Sequence, residues 1–275
     1  MTTAAPAPEA PHLSDAQLAS VMALIKDADT VELKVTVPGG AQRATIQGLP
    51  MDPVEAQPRQ VFFFDTPDLT LYDAGLVVRA RRVQGGRGDT VIKLRPVVPG
   101  ELPPDLRREA GFGVEVDILP GGYVCSASLK GRTTGQEIRD AVSGKMPLRR
   151  IFSKAQRALY QQHAPDGIGL DSLVPLGPTF VLKTRFPMEG GFRSATEPRL
   201  LVAEMWLYPD GSRILELSTK CAPAEAFQVG METRAYLGGR GIEVSAVQQP
   251  KTKTALEFYA AQLHAEPVEA GASPA

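Results

Sequence analysis

The sequence predicts a mainly β protein with additional helices (α+β), in which the strands curl into a barrel with a charged interior. Several segments alternate between apolar and charged residues with the two-residue period of a strand. Between them lie amphipathic helix patterns that would cover the apolar strand faces. In an ordinary antiparallel sheet the charged face would meet solvent and the apolar face would meet the core. Helices against the apolar faces therefore leave the charged faces to line an interior.

Residues 30–37 (TVELKVTV) show this alternation most clearly. Glu32 and Lys34 fall on one face of the strand, opposite Val31 and Leu33. A single segment of this kind is typical of a half-solvated strand. The pattern recurs along the chain, however, and each recurrence again places its charged residues on one face.

Three further segments carry pairs of cations on one face. They are residues 75–82 (GLVVRARR), 90–96 (TVIKLRP) and 179–186 (TFVLKTRF). The cations that share a face are Arg79 with Arg81, Lys93 with Arg95, and Lys183 with Arg185.

Carboxylates join the same pattern in three other segments. They are Glu115 and Asp117 in GVEVD, Glu204 in LVAEMWLY, and Glu216, with Lys220 on its face, in RILELSTK. Two like charges about 5 Å apart repel by roughly 3 kcal/mol at an effective dielectric constant near 20. Faces crowded in this way need a polyanion, metal ions or open water between them.

Helix signals separate the strands. Ser14 opens one helix and Thr134 another, each with a capping-box partner three residues later. Pro223 suits the first position of a third helix, which should end at the Gly-Gly pair at 238–239. A fourth helix should begin near Lys251.

Composition predicts one domain over residues 14–264, with disordered tails at 1–13 and 265–275. The net charge of −1 argues against nucleic-acid binding, so any positive potential must be local. Cys125 and Cys221 are interpreted as reduced core residues. With neither a signal peptide nor an apolar span, the sequence predicts a cytoplasmic protein that does not bind membranes.

Other catalytic classes find little support. The three histidines, His12, His163 and His264, do not supply a zinc site or a Ser-His-Asp triad. The GGRG turn at residues 85–88 lacks the following helix and the lysine of a phosphate-binding loop.

Residues 61–82 (VFFFDTPDLTLYDAGLVVRARR) resemble the signature of the CYTH superfamily, the triphosphate tunnel enzymes. In that signature an aromatic-Asp-Thr-Pro-Asp turn leads into an Arg-x-Arg strand. Glu32-x-Lys34 is similar to the opening strand of the family, Lys93 to the lysine of its next strand, and residues 251–260 to its closing helix. The resemblance implies a closed, antiparallel, eight-stranded β-barrel tunnel with helices packed outside. It also implies binding of a triphosphate-containing substrate with Mg²⁺ or Mn²⁺.

The chain departs from the family pattern at three carboxylate positions. Thr30 stands where a first glutamate is expected, and Val202 and Trp206 flank Glu204 where the family has a Glu-x-Glu-x-Glu row. Mg²⁺ commonly takes one or two carboxylates and completes its shell with water and substrate phosphate. The remaining carboxylates therefore favour one metal ion over two.

The resemblance also implies roles for particular residues. Metal would be held by Glu32, Glu204 and Glu216. The catalytic set would be Glu115 and Asp117, which hold a second ion or orient water, with Lys34 as a charge-balancing or phosphate-contacting residue. Arg157 is placed on a strand whose register the sequence does not fix. The expected phosphate-binding residues are Arg79, Arg81, Lys93, Arg95, Arg157, Lys183, Arg185 and Lys220.

Three functions remain as alternatives. The first is metal-dependent hydrolysis of a small-molecule triphosphate, such as tripolyphosphate, thiamine triphosphate or ATP, by attack of water. The second is adenylate cyclase, in which the ribose 3′-hydroxyl of ATP replaces water. The third is a non-catalytic polyphosphate or nucleotide binder, suggested by Thr30, Val202 and Trp206. Cationic side chains recognise the charge of phosphate and not the group attached to it, so the sequence does not determine which triphosphate is the substrate. The oligomeric state also stays open, with a homodimer as one option.

Overall fold

The computed structural model describes residues 14–192, 197–245, 248 and 250–265 of the 275-residue chain. The tails expected at 1–13 and 265–275 lie outside the described residues, except for Ala265, which ends the last helix. Within the described part nine strands form a closed barrel. The strands are β1 (Thr30–Val37), β2 (Gln57–Asp65), β3 (Leu76–Val83), β4 (Gly88–Leu94), β5 (Phe112–Leu119), β6 (Gly122–Thr133), β7 (Val174–Phe192), β8 (Pro198–Leu207) and β9 (Arg213–Cys221).

The barrel order is β1-β5-β6-β4-β3-β2-β7-β8-β9, and β9 closes on β1. The prediction of eight antiparallel strands is wrong in two respects, because there are nine strands and β1 pairs with β5 in parallel. The hairpin of β5 and β6, which turns at Gly121 with φ of 73°, places both of its arms between β1 and β4. The closed barrel itself is as predicted.

Eight α-helices accompany the strands in the described residues. None of them is long and apolar enough to cross a bilayer. They are α1 (Asp15–Lys26), α2 (Gln42–Gly48), α3 (Thr70–Asp73), α4 (Pro104–Arg107), α5 (Gly135–Val142), α6 (Lys154–His163), α7 (Ala226–Gly239) and α8 (Lys251–Ala265).

The predicted helix starts agree with the structure. Ser14 caps α1 and Thr134 caps α5, both with complete capping boxes. A short 3₁₀ turn from Pro223 to Glu225 leads into α7, and α8 begins at Lys251.

One segment that was expected to be a strand is a helix. Ser153 caps α6, and its capping-box partner Gln156 is fully buried. The Gln156 amide donates to the carbonyl oxygens of Thr90 and Leu129, which joins α6 to the outside of the barrel. Arg157 consequently lies on a helix outside the barrel and not on a strand.

The apolar strand faces pack against helices, as the alternation predicts. Outward-facing residues of β3, β4 and β6, such as Val78 and Ile92, form one core cluster with Ile138 of α5 and Leu159 of α6. Equivalent clusters lie under α1 and α7. The charged faces of the strands are left to line the lumen.

Helix α8 has a different position. Its Leu256 and Tyr259 pack against Val61, Phe63 and other residues that share the inner strand face. The register supports this assignment, because Val61 pairs with Arg81 and Phe63 pairs with Arg79. One end of the lumen is therefore apolar and is covered by α8.

Candidate functional site

Strand register brings the predicted charged rows onto one inner face. Directly paired residues on neighbouring strands project to the same side of a sheet. Glu32 pairs with Asp117 on β5 and with Lys220 on β9, while Glu204 pairs with Lys183 and with Glu216. The inner face so defined carries Glu32, Lys34, Arg79, Arg81, Lys93, Glu115, Asp117, Lys183, Arg185, Glu204, Glu216 and Lys220, and Arg95 reaches Asp117 from the end of β4.

Three carboxylates form a cluster at the parallel pair of strands. Glu32, Glu115 and Asp117 each offer one oxygen, and these oxygens lie within 4.8 Å of one another. The parallel register sets Thr30 beside Glu115 and Glu32 beside Asp117. Thr30, which stands where the family has a glutamate, donates from its hydroxyl to Glu115 at 3.4 Å.

Cations surround this carboxylate cluster. Lys34 Nζ lies 2.9 Å from both Glu32 Oε2 and Asp117 Oδ1. Lys220 contacts Glu115 and lies 3.6 Å from Glu32. Burial disfavours the charged form of Glu32, but Lys34 and Lys220 outweigh it and lower its pKa to about 2. Likewise Lys34 and Lys93 outweigh burial and lower the pKa of Asp117, so both groups stay ionised at neutral pH.

The cluster fits a hard divalent cation. Its donors are ionised carboxylate oxygens, which are the ligands that Mg²⁺ and Mn²⁺ prefer. Asp117 Oδ1 is buried and lies 2.9 Å from the Lys34 ammonium group. An ionised carboxylate has several lone pairs, so it can ligate a metal beside this ammonium.

A second carboxylate pair lies elsewhere on the inner face. Lys251 Nζ contacts Glu204 Oε2 at 2.8 Å and Glu216 Oε1 at 2.5 Å. Glu204 also accepts from Lys183 at 2.9 Å and from the Trp206 indole N–H at 3.3 Å. The pKa of Glu204 lies well below its usual value, because Lys251 and Lys183 outweigh its burial. Glu204 and Glu216, expected to share a metal with Glu32, are thus held by lysines, and Glu32 groups with Glu115 and Asp117 instead.

The remaining inner wall is basic and incompletely paired. Asp89 accepts from Arg81 at 2.8 Å and lies 3.9 Å from Arg79. Arg79 Nε is buried without a hydrogen-bond partner in the described residues. Burial and the neighbouring Arg81 lower the pKa of Arg79. An arginine in this state has donors to offer a ligand.

Lys93 is the clearest case of an uncompensated cation. Within the described chain no carboxylate lies within ion-pair distance of its ammonium group, although Asp117 and Glu115 act on it from further away. Burial lowers its pKa to about 8 despite the attraction of those carboxylates. A buried ammonium group without a charged partner lowers the stability of the fold unless a ligand anion pairs with it.

Sequence reasoning missed three inner residues as members of the site. Asp89 lies four positions before Lys93 on one strand face, so the same alternation could have found it. Arg59, on β2, has its pKa lowered to about 10 by burial and by Arg81. Its strand begins two residues earlier, at Gln57, with little apolar pattern to mark it. Lys251 was recognised only as the start of a helix.

One predicted member does not belong to the inner face. The Arg157 guanidinium donates to the carbonyl oxygens of Phe152, at 2.7 Å, and Arg149, at 3.4 Å, on the outside of the barrel. The structure therefore separates Arg157 from the other predicted phosphate-binding residues.

The barrel, the helix at its end and its charged lumen make this chain a tunnel-type β-barrel protein. No family model matches the chain, and no curated protein matches its sequence. Among solved structures, the chain resembles a candidate adenylyl cyclase from Hippeastrum that is described as having a dominant triphosphatase activity. The two share 14% identity over 82% of this chain and 95% of that one, with a TM-score of 0.59.

A second similar structure is a candidate adenylate cyclase from Bacillus halodurans. It shares 13% identity over 82% of this chain and 98% of its own, with a TM-score of 0.55. At these identities the likeness concerns the fold. The closed barrel expected from the CYTH resemblance of residues 61–82 is therefore confirmed, whereas its expected strand number and purely antiparallel pairing are not.

Proposed function

We propose that the lumen binds a small-molecule triphosphate and hydrolyses its terminal phosphoanhydride bond with one divalent cation. The observation that carries this proposal is the juxtaposition of uncompensated cations and a carboxylate cluster. Lys93 lacks a carboxylate partner in the described residues. It nevertheless lies close enough to Asp117 for that carboxylate to offset part of the lowering of its pKa by burial. A chain of phosphates can reach both groups at once.

Binding follows from the charge of the inner wall. Arg79 and Lys93 carry charges that the protein does not neutralise fully, and burial strengthens their attraction for an anion. Arg81 is held by Asp89, which fixes the orientation of its guanidinium group. The fork of an arginine can then bind two phosphate oxygens together.

The metal belongs to the carboxylate cluster of Glu32, Glu115 and Asp117. A Mg²⁺ or Mn²⁺ ion bound there would neutralise phosphate oxygens and polarise the phosphorus centre. Glu32 and Asp117 stay ionised at neutral pH and are ready to serve as ligands. Glu32 Oε2 and Asp117 Oδ1 already interact with a positive charge, that of the Lys34 ammonium group.

The chemical step places modest demands on the protein. The oxygen of water attacks the terminal phosphorus, the bond to the bridging oxygen breaks, and tripolyphosphate yields phosphate and diphosphate. Phosphoryl transfer of this kind depends mainly on positioning and charge neutralisation. Lys34 is not a general base, because Glu32 and Asp117 outweigh its burial and raise its pKa. It stays protonated and can donate to a phosphate oxygen.

The test measures phosphate release from tripolyphosphate, thiamine triphosphate and ATP with Mg²⁺ or Mn²⁺, together with cyclic AMP formed from ATP. We expect release that Arg79→Ala and Glu32→Gln abolish and that Arg157→Ala leaves unchanged. Arg157 is the matched control, since its guanidinium donates to two carbonyl oxygens outside the barrel.

The other outcomes separate the alternatives. Cyclic AMP as the main product would make the protein a cyclase. Absence of turnover, with a melting temperature that tripolyphosphate raises in the wild type and not in Arg79→Ala, would make it a binder. Neither turnover nor stabilisation would reject a triphosphate site in the lumen.

A further inference from the structure

Lys251 occupies the position between two carboxylates that a metal ion could otherwise fill. Its ammonium group contacts Glu204 at 2.8 Å and Glu216 at 2.5 Å, and it is only 18% exposed. Glu204 and Glu216 are directly paired across β8 and β9, so their side chains emerge side by side. Two carboxylates so close need a cation between them.

The position of Lys251 is fixed by its helix. Lys251 is the first residue of α8, and the Tyr208 hydroxyl donates to its backbone carbonyl at 3.0 Å. Further along α8, Leu256 and Tyr259 are buried at the closed end of the lumen. The Tyr259 hydroxyl donates to the Pro178 carbonyl at 2.5 Å. The docked helix therefore holds the ammonium in place.

The contacts of Lys251 leave little room for a competing ion. An ammonium group has three donors, and two of them are used by Glu204 and Glu216. The Trp206 ring lies 5.1 Å from the same nitrogen, within the range of a cation–π contact. The second oxygen of Glu204 is taken by Lys183. A divalent ion at this pair would have to displace Lys251 and would still face Lys183.

We propose that the Lys251 ammonium group occupies the space between Glu204 and Glu216 and so prevents a divalent metal ion from binding there. The protein would then bind one metal ion although it has two groups of carboxylates. The proposal deepens the proposed function and relies on it only for the location of the remaining ion. The cluster of Glu32, Glu115 and Asp117 differs in having three carboxylates. Within the described residues its lysine contacts come from Lys34 on β1 and Lys220 on β9, and not from a helix.

The test counts bound Mn²⁺ by titrating the metal alone and following the magnetic resonance signal of the free ion. We expect Lys251→Met to bind one more ion than the wild type. Lys251→Arg keeps the cation and should bind the wild-type number. Lys253→Met is the matched control on the same helix, because Lys253 is 48% exposed and its ion pair in the described residues is with Glu257 on the helix surface. The double variant Lys251→Met, Glu216→Gln should return to the wild-type number.

An unchanged count in a Lys251→Met variant that still melts cooperatively would overturn the proposal. If that variant fails to fold, Glu216→Gln in the otherwise native chain decides the question. Lys251 already excludes metal from that pair, so we expect no loss of Mn²⁺, and a loss of one ion would overturn the proposal.

This experiment also separates the two proposals. If the wild type binds no Mn²⁺, the metal-dependent function fails while a gain of one ion in Lys251→Met still supports the role of Lys251. If the wild type hydrolyses triphosphate and Lys251→Met gains no ion, the function stands and the role of Lys251 fails.

Discussion

Glu32 on β1 and Asp117 on β5 lie side by side in parallel register and share one ammonium group, that of Lys34, at 2.9 Å from each. The sharing is possible because β1 and β5 are neighbouring strands whose register pairs Glu32 with Asp117. Lys220, 3.6 Å from Glu32, and Arg95, 3.5 Å from Asp117, add two more cations to the same carboxylates. A metal ion bound here would therefore share these carboxylates with cations of the protein.

Lys34→Met should destabilise the protein by about 3 kcal/mol, because removing one partner leaves buried charges uncompensated. Mn²⁺ should restore part of the loss by supplying positive charge, so the metal should raise the melting temperature more in the variant than in the wild type. Thermal unfolding with and without Mn²⁺ measures both effects. Lys26→Met, at an exposed position of α1, is the control. Equal metal-induced shifts in wild type and Lys34→Met would contradict the placement of the ion at Glu32 and Asp117.

Lys93→Met should make the ligand-free protein more stable and should weaken its binding of triphosphate. Burial lowers the pKa of Lys93 to about 8 from 10.5. Keeping it charged below pH 8 therefore costs the fold about 3 kcal/mol, which the variant regains. The gain should shrink as the pH rises from 8 towards 10.5, because the wild-type ammonium is already neutral there. Denaturant unfolding at pH 7 and pH 10 checks the sign. A variant less stable than the wild type at pH 7 would show that Lys93 has a partner within the protein.

Triphosphate affinity should fall as the pH rises above 8. In the empty protein Lys93 loses its proton near pH 8, whereas bound phosphate would favour the charged form. Binding at pH 8 to 9 should therefore take up a proton, and affinity should fall by up to about tenfold per pH unit. Calorimetry in two buffers of different ionisation enthalpy measures the uptake. Lys93→Arg stays charged, so comparison with it cancels the titration of the ligand itself. The same proton uptake in both proteins would assign it to another group.

Glu32 should contribute to acid stability. Its pKa is lowered to about 2 from 4.5, so its contribution is present above pH 4.5 and is lost as the pH falls towards 2. The shift corresponds to about 3 kcal/mol. Glu32→Gln should therefore show a flatter stability profile between pH 5 and pH 2 than the wild type. Glu257→Gln, at an exposed position of α8, should leave the profile unchanged. Parallel profiles for wild type and Glu32→Gln would show that the ion pair with Lys34 contributes nothing.

The faces of the strands could be predicted from sequence because alternation is a local property of the chain. Arg79 and Arg81 or Glu115 and Asp117 must share a face wherever their strands lie. The grouping of carboxylates could not be predicted in the same way. Whether Glu32 meets Asp117 or Glu204 depends on which strands are neighbours, and the parallel pairing of β1 with β5 leaves no mark in either segment.

The misassigned segment around Arg157 has a different explanation. Residues 151–160 contain enough apolar residues to suggest a strand, and the capping pair of Ser153 with Gln156 was the signal against it. Gln156 is buried because it bonds to backbone carbonyl oxygens of two neighbouring strands, a tertiary role that no local pattern reveals.

Helix α8 packs on Val61, Phe63 and Trp206, and we expect this packing to make the lumen a blind channel. A linear polyanion cannot thread through such a channel and can enter only by one of its ends. A phosphate chain longer than the lumen would leave part of its length outside. Discrimination between short and long chains would then depend on the contacts of that part with the rim of the lumen, where Lys220 is half exposed. Product would have to leave by the way substrate came in, so each turnover would vacate the channel before the next ligand could enter.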